Sequence, residues 1–128
     1  MFLGESGSGH SVVMDGAPDQ GGRNIGARPM EMILLGLGGC ASFDVMTMLQ
    51  KGRQQVSDCR VEISAQRVDV VPAVFSSIHL EFVLSGSNLK ESQVKRAVEL
   101  SAEKYCSASI MLEAAGVEIS HSYRIEAP

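Results

Sequence analysis

One long apolar segment constrains the fold of this chain more than any other feature. Pro29 suits the first position of a helix, and Glu31 suits its first turn, where the helix macrodipole is positive. The pattern predicts a helix from Pro29 to about Lys51 that ends at Gly52 and carries apolar residues on nearly every face. Because a helix that is apolar all round must be buried all round, we expect it at the centre of the fold.

Glycines interrupt this helix at an unusual place. Gly36, Gly38 and Gly39 lie in its interior, where each costs about 1 kcal/mol relative to alanine. That cost is understandable if another backbone passes close by, as at a crossing of two helices. The longest apolar stretch, residues 32–43, is roughly twelve residues long, whereas a membrane span needs about twenty. We therefore predict a core helix and no membrane span.

The flanking segments read as strands and further helices. Residues 59–66 and 77–84 alternate apolar and polar side chains, as antiparallel strands with one wet face do, with a hairpin around Val71-Pro72. Residues 10–15 read as a strand after a glycine-rich turn, which gives a hairpin-like start, and residues 16–28 read as a loop.

The second half of the chain predicts two helices and a last strand. Asn88 with Glu91 three residues later resembles a capping box, which would begin one amphipathic helix. A shorter helix follows from around Cys106 to Gly116, and residues 117–125 form a strand. The order β-β-α-β-β-α-α-β, with antiparallel strands around one apolar helix, predicts an α+β fold in one domain, residues 1–128, and not a doubly wound sheet.

Composition excludes several classes of protein. The net charge of −4, the scarcity of aromatic residues and the lack of tryptophan give no reason to expect nucleic acid or an anionic membrane as a partner. The glycine-rich start contains no Gly-Lys-Ser/Thr, so it predicts no phosphate loop. The chain does not open with a basic, then apolar leader, and we therefore expect it in the cytoplasm.

The three cysteines are the candidates for chemistry. Cys40 lies in the apolar helix with Asp44 one turn further on; it either packs as a small hydrophobic group or reacts. Cys106 lies at a predicted helix start, where the dipole would favour its thiolate, although a cap without chemistry remains the alternative. Cys59 reads as core. No histidine lies at ligand-like spacing from these thiols, so we predict no metal site.

Two segments resemble a known family. Residues 29–40, with Pro29, Glu31 and Cys40, resemble the Pro-x-Glu…Ala/Gly-x-Cys helix of the OsmC/Ohr proteins, the osmotically induced and organic hydroperoxide resistance proteins. Residues 97–107 are similar to that family's second cysteine segment, and the flanking stretches look most like its YhfA-like branch. The resemblance implies an OsmC-like α+β fold, with antiparallel sheets wrapped around long central helices in an intertwined homodimer.

The resemblance also implies roles. Cys40 would attack a small organic hydroperoxide and become a sulfenic acid, Cys106 would resolve it to a disulfide, and an external thiol would reduce that disulfide. No metal, flavin or nicotinamide cofactor is implied. A cation should lower the pKa of Cys40; in the peroxidase members an arginine held by a glutamate does so, which makes Arg28 or Arg23, paired with Glu31, the candidates here.

The chain departs from the family pattern at two points. Met30 stands where hydroperoxide resistance members usually carry the glutamate. Relatives begin with an additional strand before the segment equivalent to residues 2–4, so we expect either a truncated frame or a chain that lacks this strand. Two other functions remain open: an apolar-ligand binding or sensing protein on the same scaffold, and a structural domain with three buried thiols.

Overall fold

A computed structural model describes residues 1–128. The chain forms two compact units, Met1–Gly36 and Leu37–Pro128, and one helix runs from the first into the second. The first unit begins with strands β1 (Phe2–Glu5) and β2 (Ser11–Met14), which pair antiparallel as the predicted hairpin. A short 3₁₀ turn, Pro18–Gln20, interrupts the loop that follows.

Asp15 organises this loop. Its side chain is buried, and its Oδ1 accepts the backbone N–H of Gly16 at 2.8 Å. Its Oδ2 accepts the backbone N–H of Arg23 at 2.9 Å and that of Ile25 at 3.4 Å. These hydrogen bonds, with the one from Arg23 first, lower the pKa of the Asp15 carboxyl to about 2. The carboxylate is therefore charged at neutral pH and ties down the loop that leads into the long helix.

Helix α1 spans Pro29–Lys51, as predicted, but its burial differs from the prediction. The buried side chains lie four residues apart, on one stripe (Leu37, Ala41, Val45 and Leu49). In contrast, Phe43 is 79% exposed and Leu35 is 59% exposed. The expectation of burial all round is therefore wrong for a single chain, because one chain supplies neighbours for only one face of this helix.

The glycines of α1 are explained only in part. A Cβ at Gly38 would come within 2.7 Å of Ile63 Cδ1, so the absence of a side chain lets Ile63 pack against the helix. The predicted helix crossing is wrong for this position, since the neighbour is a side chain of a strand. Gly36 and Gly39 meet only open space within the chain.

The second unit contains a three-stranded sheet in the order β3-β4-β5, formed by β3 (Gln55–Arg67), β4 (Phe75–Ser87) and β5 (Glu118–Glu126). β4 is central and contributes much of the core (Phe75, Ile78, Leu80, Phe82, Val83 and Leu84). β3 and β4 are antiparallel, with Val61 opposite Phe82, as the alternating pattern predicted.

The pairing of the last strand corrects the expectation of antiparallel sheets. β5 runs parallel to β4, with Tyr123 beside Phe82, so this sheet is mixed. The helices α2 (Glu91–Leu100) and α3 (Ser107–Ala114) lie between the two strands in sequence. They supply the long connection that brings the chain back to the same end of the sheet, which a parallel pair requires.

The start of α2 also differs from the prediction. Asn88 has a left-handed backbone, φ 55°, and does not cap the helix. Lys90 takes the cap position without a side-chain bond, and its backbone N–H donates to Gln54 Oε1 at 2.9 Å. Glu91 Oε1 accepts the hydroxyl of Tyr123 at 3.1 Å. The predicted capping box is wrong for two reasons. Glu91 binds Tyr123 of β5 and does not bind the helix cap, and Gln54 accepts the backbone N–H at the start of the helix.

Candidate functional site

The fold brings two cysteines from distant parts of the sequence together. Cys40 comes from α1, and Cys106 lies at the N-terminus of α3. Their sulfur atoms and a carboxylate oxygen of Asp44 all lie within 4.8 Å of one another. Cys40 and Asp44 are half-buried, whereas Cys106 is completely buried. We call these three residues the thiol cluster. A disulfide needs an S–S distance of about 2.05 Å, so side-chain rotation and a small shift would be needed to close it.

A π-helical turn places Cys106 in this cluster. Residues Ser101–Tyr105 continue α2 with a wider turn, and the backbone N–H of Cys106 donates to the carbonyl oxygen of Ser101, five residues back, at 2.9 Å. Such a turn inserts one extra residue into a helix and is frequent at functional sites. Cys106 then leaves the helix with an extended backbone and caps α3, its Sγ accepting the backbone N–H of Ser109 at 3.4 Å.

Ser101 links the two helices behind the cluster. Its side chain is buried, and its Oγ lies 3.3 Å from the carbonyl oxygen of Ala41 and 3.5 Å from Asp44 Oδ2. The hydroxyl can donate to either of these α1 oxygens. Ser101 therefore fixes the π turn against the helix that carries Cys40, and it holds the Asp44 carboxylate toward the thiols.

The protonation of Cys106 is dominated by its burial. Burial, with smaller contributions from the neighbouring Cys40 and Asp44, raises the pKa of the Cys106 thiol to about 11. The N–H of Ser109 lowers this pKa, as the argument from the helix terminus predicts, but the effect of burial is larger. Cys106 is therefore protonated at neutral pH, and its position at a helix start does not make it the reactive thiolate.

Glu31 and Arg28 interact, but not as an ion pair. Glu31 Oε1 accepts the backbone N–H of Arg28 at 2.8 Å, which satisfies the start of α1. The Arg28 guanidinium donates to Asn24 Oδ1 at 2.8 Å and to the carbonyl oxygen of Gly26 at 3.3 Å. The expected guanidinium–carboxylate pair with Glu31 is absent for both Arg28 and Arg23. The Glu31 carboxylate instead binds the backbone N–H of Arg28, just before the start of α1. A role for either arginine beside Cys40 stays a prediction.

A cleft of about 400 Å³ opens next to the thiol cluster, between α1 and α2. Its wall begins at Asp44 and includes Tyr105, the neighbour of Cys106. The apolar side chains of Met48 and Leu100 are among those that line it. The cleft gives a small molecule with an apolar part a place to lie one helical turn from Cys40.

Other candidate groups lie away from the thiols. A larger cleft, about 830 Å³, lies among α2, α3 and β5 and contains no cysteine. His79 uses both ring nitrogens on Ser120 and Ser122, at 2.7 and 2.8 Å. Cys59 lies on β3, as predicted, but it is half-buried and not part of the core, and burial raises the pKa of its thiol. We therefore regard His79 and Cys59 as structural residues and not as part of the candidate site.

The structure is that of an α+β protein in which two cysteines from different helices meet. Comparison with known families shows which family it belongs to. The sequence model of the family described as OsmC-like protein matches residues 20–122. This match covers most of the chain. The chain therefore belongs to the OsmC-like family.

Individual relatives place it more closely. The chain is 50% identical to Protein YhfA of Escherichia coli over 129 aligned positions, which cover 98% of this chain and 90% of that protein. A crystal structure of a hypothetical protein from Aquifex aeolicus is similar, with 28% identity, a TM-score of 0.84 and coverage of 99% and 88%. The organic hydroperoxide resistance protein OsmC of Legionella pneumophila shares the fold at 14% identity, with a TM-score of 0.70 and coverage of 93% and 85%.

Proposed function

We propose that this chain is a thiol-dependent peroxidase that reduces small organic hydroperoxides in oxidative-stress defence. The observation that supports this most is the thiol cluster: two cysteines 66 positions apart in sequence have sulfur atoms within 4.8 Å. Membership of the OsmC-like family, which includes proteins named for organic hydroperoxide resistance, supports the same reaction.

The proposed reaction has three steps. The Cys40 thiolate attacks the terminal peroxide oxygen, the O–O bond breaks, and the alkoxide leaves as an alcohol after taking a proton, so Cys40 becomes a sulfenic acid. The Cys106 sulfur then displaces water from that sulfenic acid and forms the Cys40–Cys106 disulfide. An external dithiol, or two thiols, reduces the disulfide and is itself oxidised. None of these steps needs a metal, flavin or nicotinamide.

The burial of the two thiols supports this division of roles. Cys40 is half-buried and can be reached by a substrate, whereas Cys106 has no exposed surface and is protonated at neutral pH. A buried resolving thiol reacts only with a sulfenic acid formed next to it, which limits over-oxidation. The cleft that begins at Asp44 would accept the organic part of a hydroperoxide, which favours such substrates over hydrogen peroxide.

Intact mass after one equivalent of cumene hydroperoxide tests the mechanism. We expect the reduced protein to lose two hydrogens as the disulfide forms. Cys106→Ser should instead gain one oxygen, because its sulfenic acid has no partner. The matched control is Cys59→Ser, which should lose two hydrogens as the native chain does. An unchanged mass in the native protein would favour the rival function, binding or sensing of an apolar ligand in the same cleft.

The activating cation can be tested by comparing two arginines of the same loop. If the Arg28 guanidinium is brought close to Cys40 in the working form, we expect Arg28→Ala to lower kcat/KM for hydroperoxide by roughly 10-fold and to move the rise in rate to higher pH, because a cation close to a thiol stabilises its thiolate. Arg23→Ala serves as the matched control and should have little effect. A reversed result would assign the role to Arg23, and two native-like pH profiles would exclude both.

We further propose that the working form is a homodimer in the cytoplasm. By length and composition α1 could cross a membrane: its most apolar window has a mean hydropathy of 1.7, and only 28% of that window is buried within the chain. However, the core helix of a soluble protein passes the same test of length and composition. A second copy packing on the exposed face of α1 would bury the same side chains without a bilayer, as the family resemblance implies.

A further inference from the structure

The thiol cluster has the composition of a metal site as well as that of a redox pair. Two sulfur atoms and one carboxylate oxygen converge within 4.8 Å, and they come from two different helices. Thiolate and carboxylate ligands bind Zn²⁺ at about 2.3 Å and 2.0–2.2 Å respectively. To bind a tetrahedral ion, the three ligand atoms would therefore move a shorter distance than the two sulfur atoms must move to form a disulfide. Sequence spacing gave no sign of the site, because its third ligand is an aspartate and its two cysteines are far apart.

We propose that the reduced thiol cluster binds one Zn²⁺ ion through Cys40 Sγ, Cys106 Sγ and an Asp44 carboxylate oxygen. The fourth position of the tetrahedron is left to water, which is the arrangement of three-ligand zinc sites. Two thiolates select a soft or borderline d¹⁰ cation over Mg²⁺ or Ca²⁺, which prefer oxygen ligands.

The surroundings of the cluster support this assignment. Ser101 Oγ lies 3.5 Å from Asp44 Oδ2, so a hydroxyl outside the ligand set can orient the ligating carboxylate, as hydrogen-bonding partners of metal ligands commonly do. The N–H of Ser109 donates to Cys106 Sγ and would stabilise the thiolate form that a metal needs. A thiol must lose its proton to become a metal ligand, so binding must release protons.

Zinc binding and peroxide reduction exclude each other. Both use the sulfur lone pairs of Cys40, and a disulfide between Cys40 and Cys106 leaves only Asp44 to hold an ion. The ion would shield the reduced thiols from the hydroperoxide. The proposal uses the same residues as the proposed function, but it does not depend on catalytic turnover.

Titration of the reduced, chelator-washed protein with Zn²⁺ in the absence of peroxide tests the proposal. We expect one ion per chain with a submicromolar dissociation constant. The proton release, measured in two buffers of different ionisation enthalpy, should be between one and two protons per ion. Asp44→Asn keeps both thiols and should weaken binding at least 10-fold, while Cys106→Ser should weaken it more. Cys59→Ser is the matched control and should bind as the native chain does.

A second measurement avoids variants that fold poorly. Zn²⁺ should protect Cys40 and Cys106 of the native protein from alkylation under partly denaturing conditions and leave Cys59 unprotected, as read by peptide mass. Three results would each overturn the proposal: the absence of a 1:1 complex, zinc binding by Asp44→Asn and Cys106→Ser that is as tight as in the native chain, or protection of Cys59. A chain that binds zinc but forms no disulfide with cumene hydroperoxide would refute only the peroxidase, and the opposite result would refute only the metal site.

Discussion

Replacing Cys40 by serine will lower kcat/KM for organic hydroperoxides by at least about 1000-fold, because a hydroxyl at neutral pH cannot replace a thiolate as the nucleophile. No other thiol of the chain can take over the first step. Cys106 is fully buried and protonated, and Cys59 is half-buried on β3, outside the thiol cluster. Steady-state consumption of cumene hydroperoxide with dithiothreitol as reductant measures the effect.

Two further variants show whether the loss is specific to this sulfur. Cys59→Ser changes a thiol of similar burial outside the thiol cluster, so it controls for general damage and should keep native kcat/KM. Cys106→Ser should complete a first turnover and then lose activity as its sulfenic acid is over-oxidised. A Cys40→Ser protein that retains a tenth of the native rate would contradict the assigned nucleophile.

Replacing Phe43 by glutamate will convert the protein from a dimer to a monomer at micromolar concentration. Phe43 lies in the middle of α1 and is 79% exposed in the single chain, which is unusual for so large an apolar side chain. If a second copy covers this face, a charge there must be buried without a partner, and we expect the dissociation constant to rise at least 100-fold. Sedimentation equilibrium of both proteins measures this change directly.

The control places the same charge elsewhere. Val71 is 96% exposed in the connection between β3 and β4 and is not part of α1, so Val71→Glu should leave the oligomeric state unchanged. Both variants should keep the native far-ultraviolet circular dichroism. A native chain that sediments as a monomer, or a Phe43→Glu protein that remains dimeric, would refute the proposed covering of α1 by a second copy.

The order of the elements could be predicted from the sequence because each element follows a local rule. Pro29 and Gly52 mark the limits of the long helix, and the observed α1 ends at Lys51. The alternation around Cys59 and in the following strand identified β3 and β4 and the less exposed face of each. The helix that begins after Cys106 was also predicted correctly, since it follows directly on an amphipathic segment.

The features that were missed depend on partners distant in sequence. The parallel pairing of β5 is set by how α2 and α3 return the chain, which periodicity does not encode. The cap of α2 depends on Gln54, which lies 36 residues before Lys90. The meeting of Cys40 and Cys106 was expected only from the family resemblance, and the contribution of Ser101 had no sequence signal, because a buried serine looks like any other serine in a helix. Phe43 is exposed because a single chain supplies neighbours for only one face of α1.

The wide turn after α2 has a consequence for how this pair of cysteines can vary among relatives. The hydrogen bond from the Cys106 N–H to the Ser101 carbonyl fixes five steps between these residues, one more than a regular helix would use. Removing a single residue between them would rotate the second sulfur by about 100 degrees around the helix axis, away from α1. A homologue with such a deletion could still have both cysteines aligned in sequence, but their sulfur atoms would no longer lie close together.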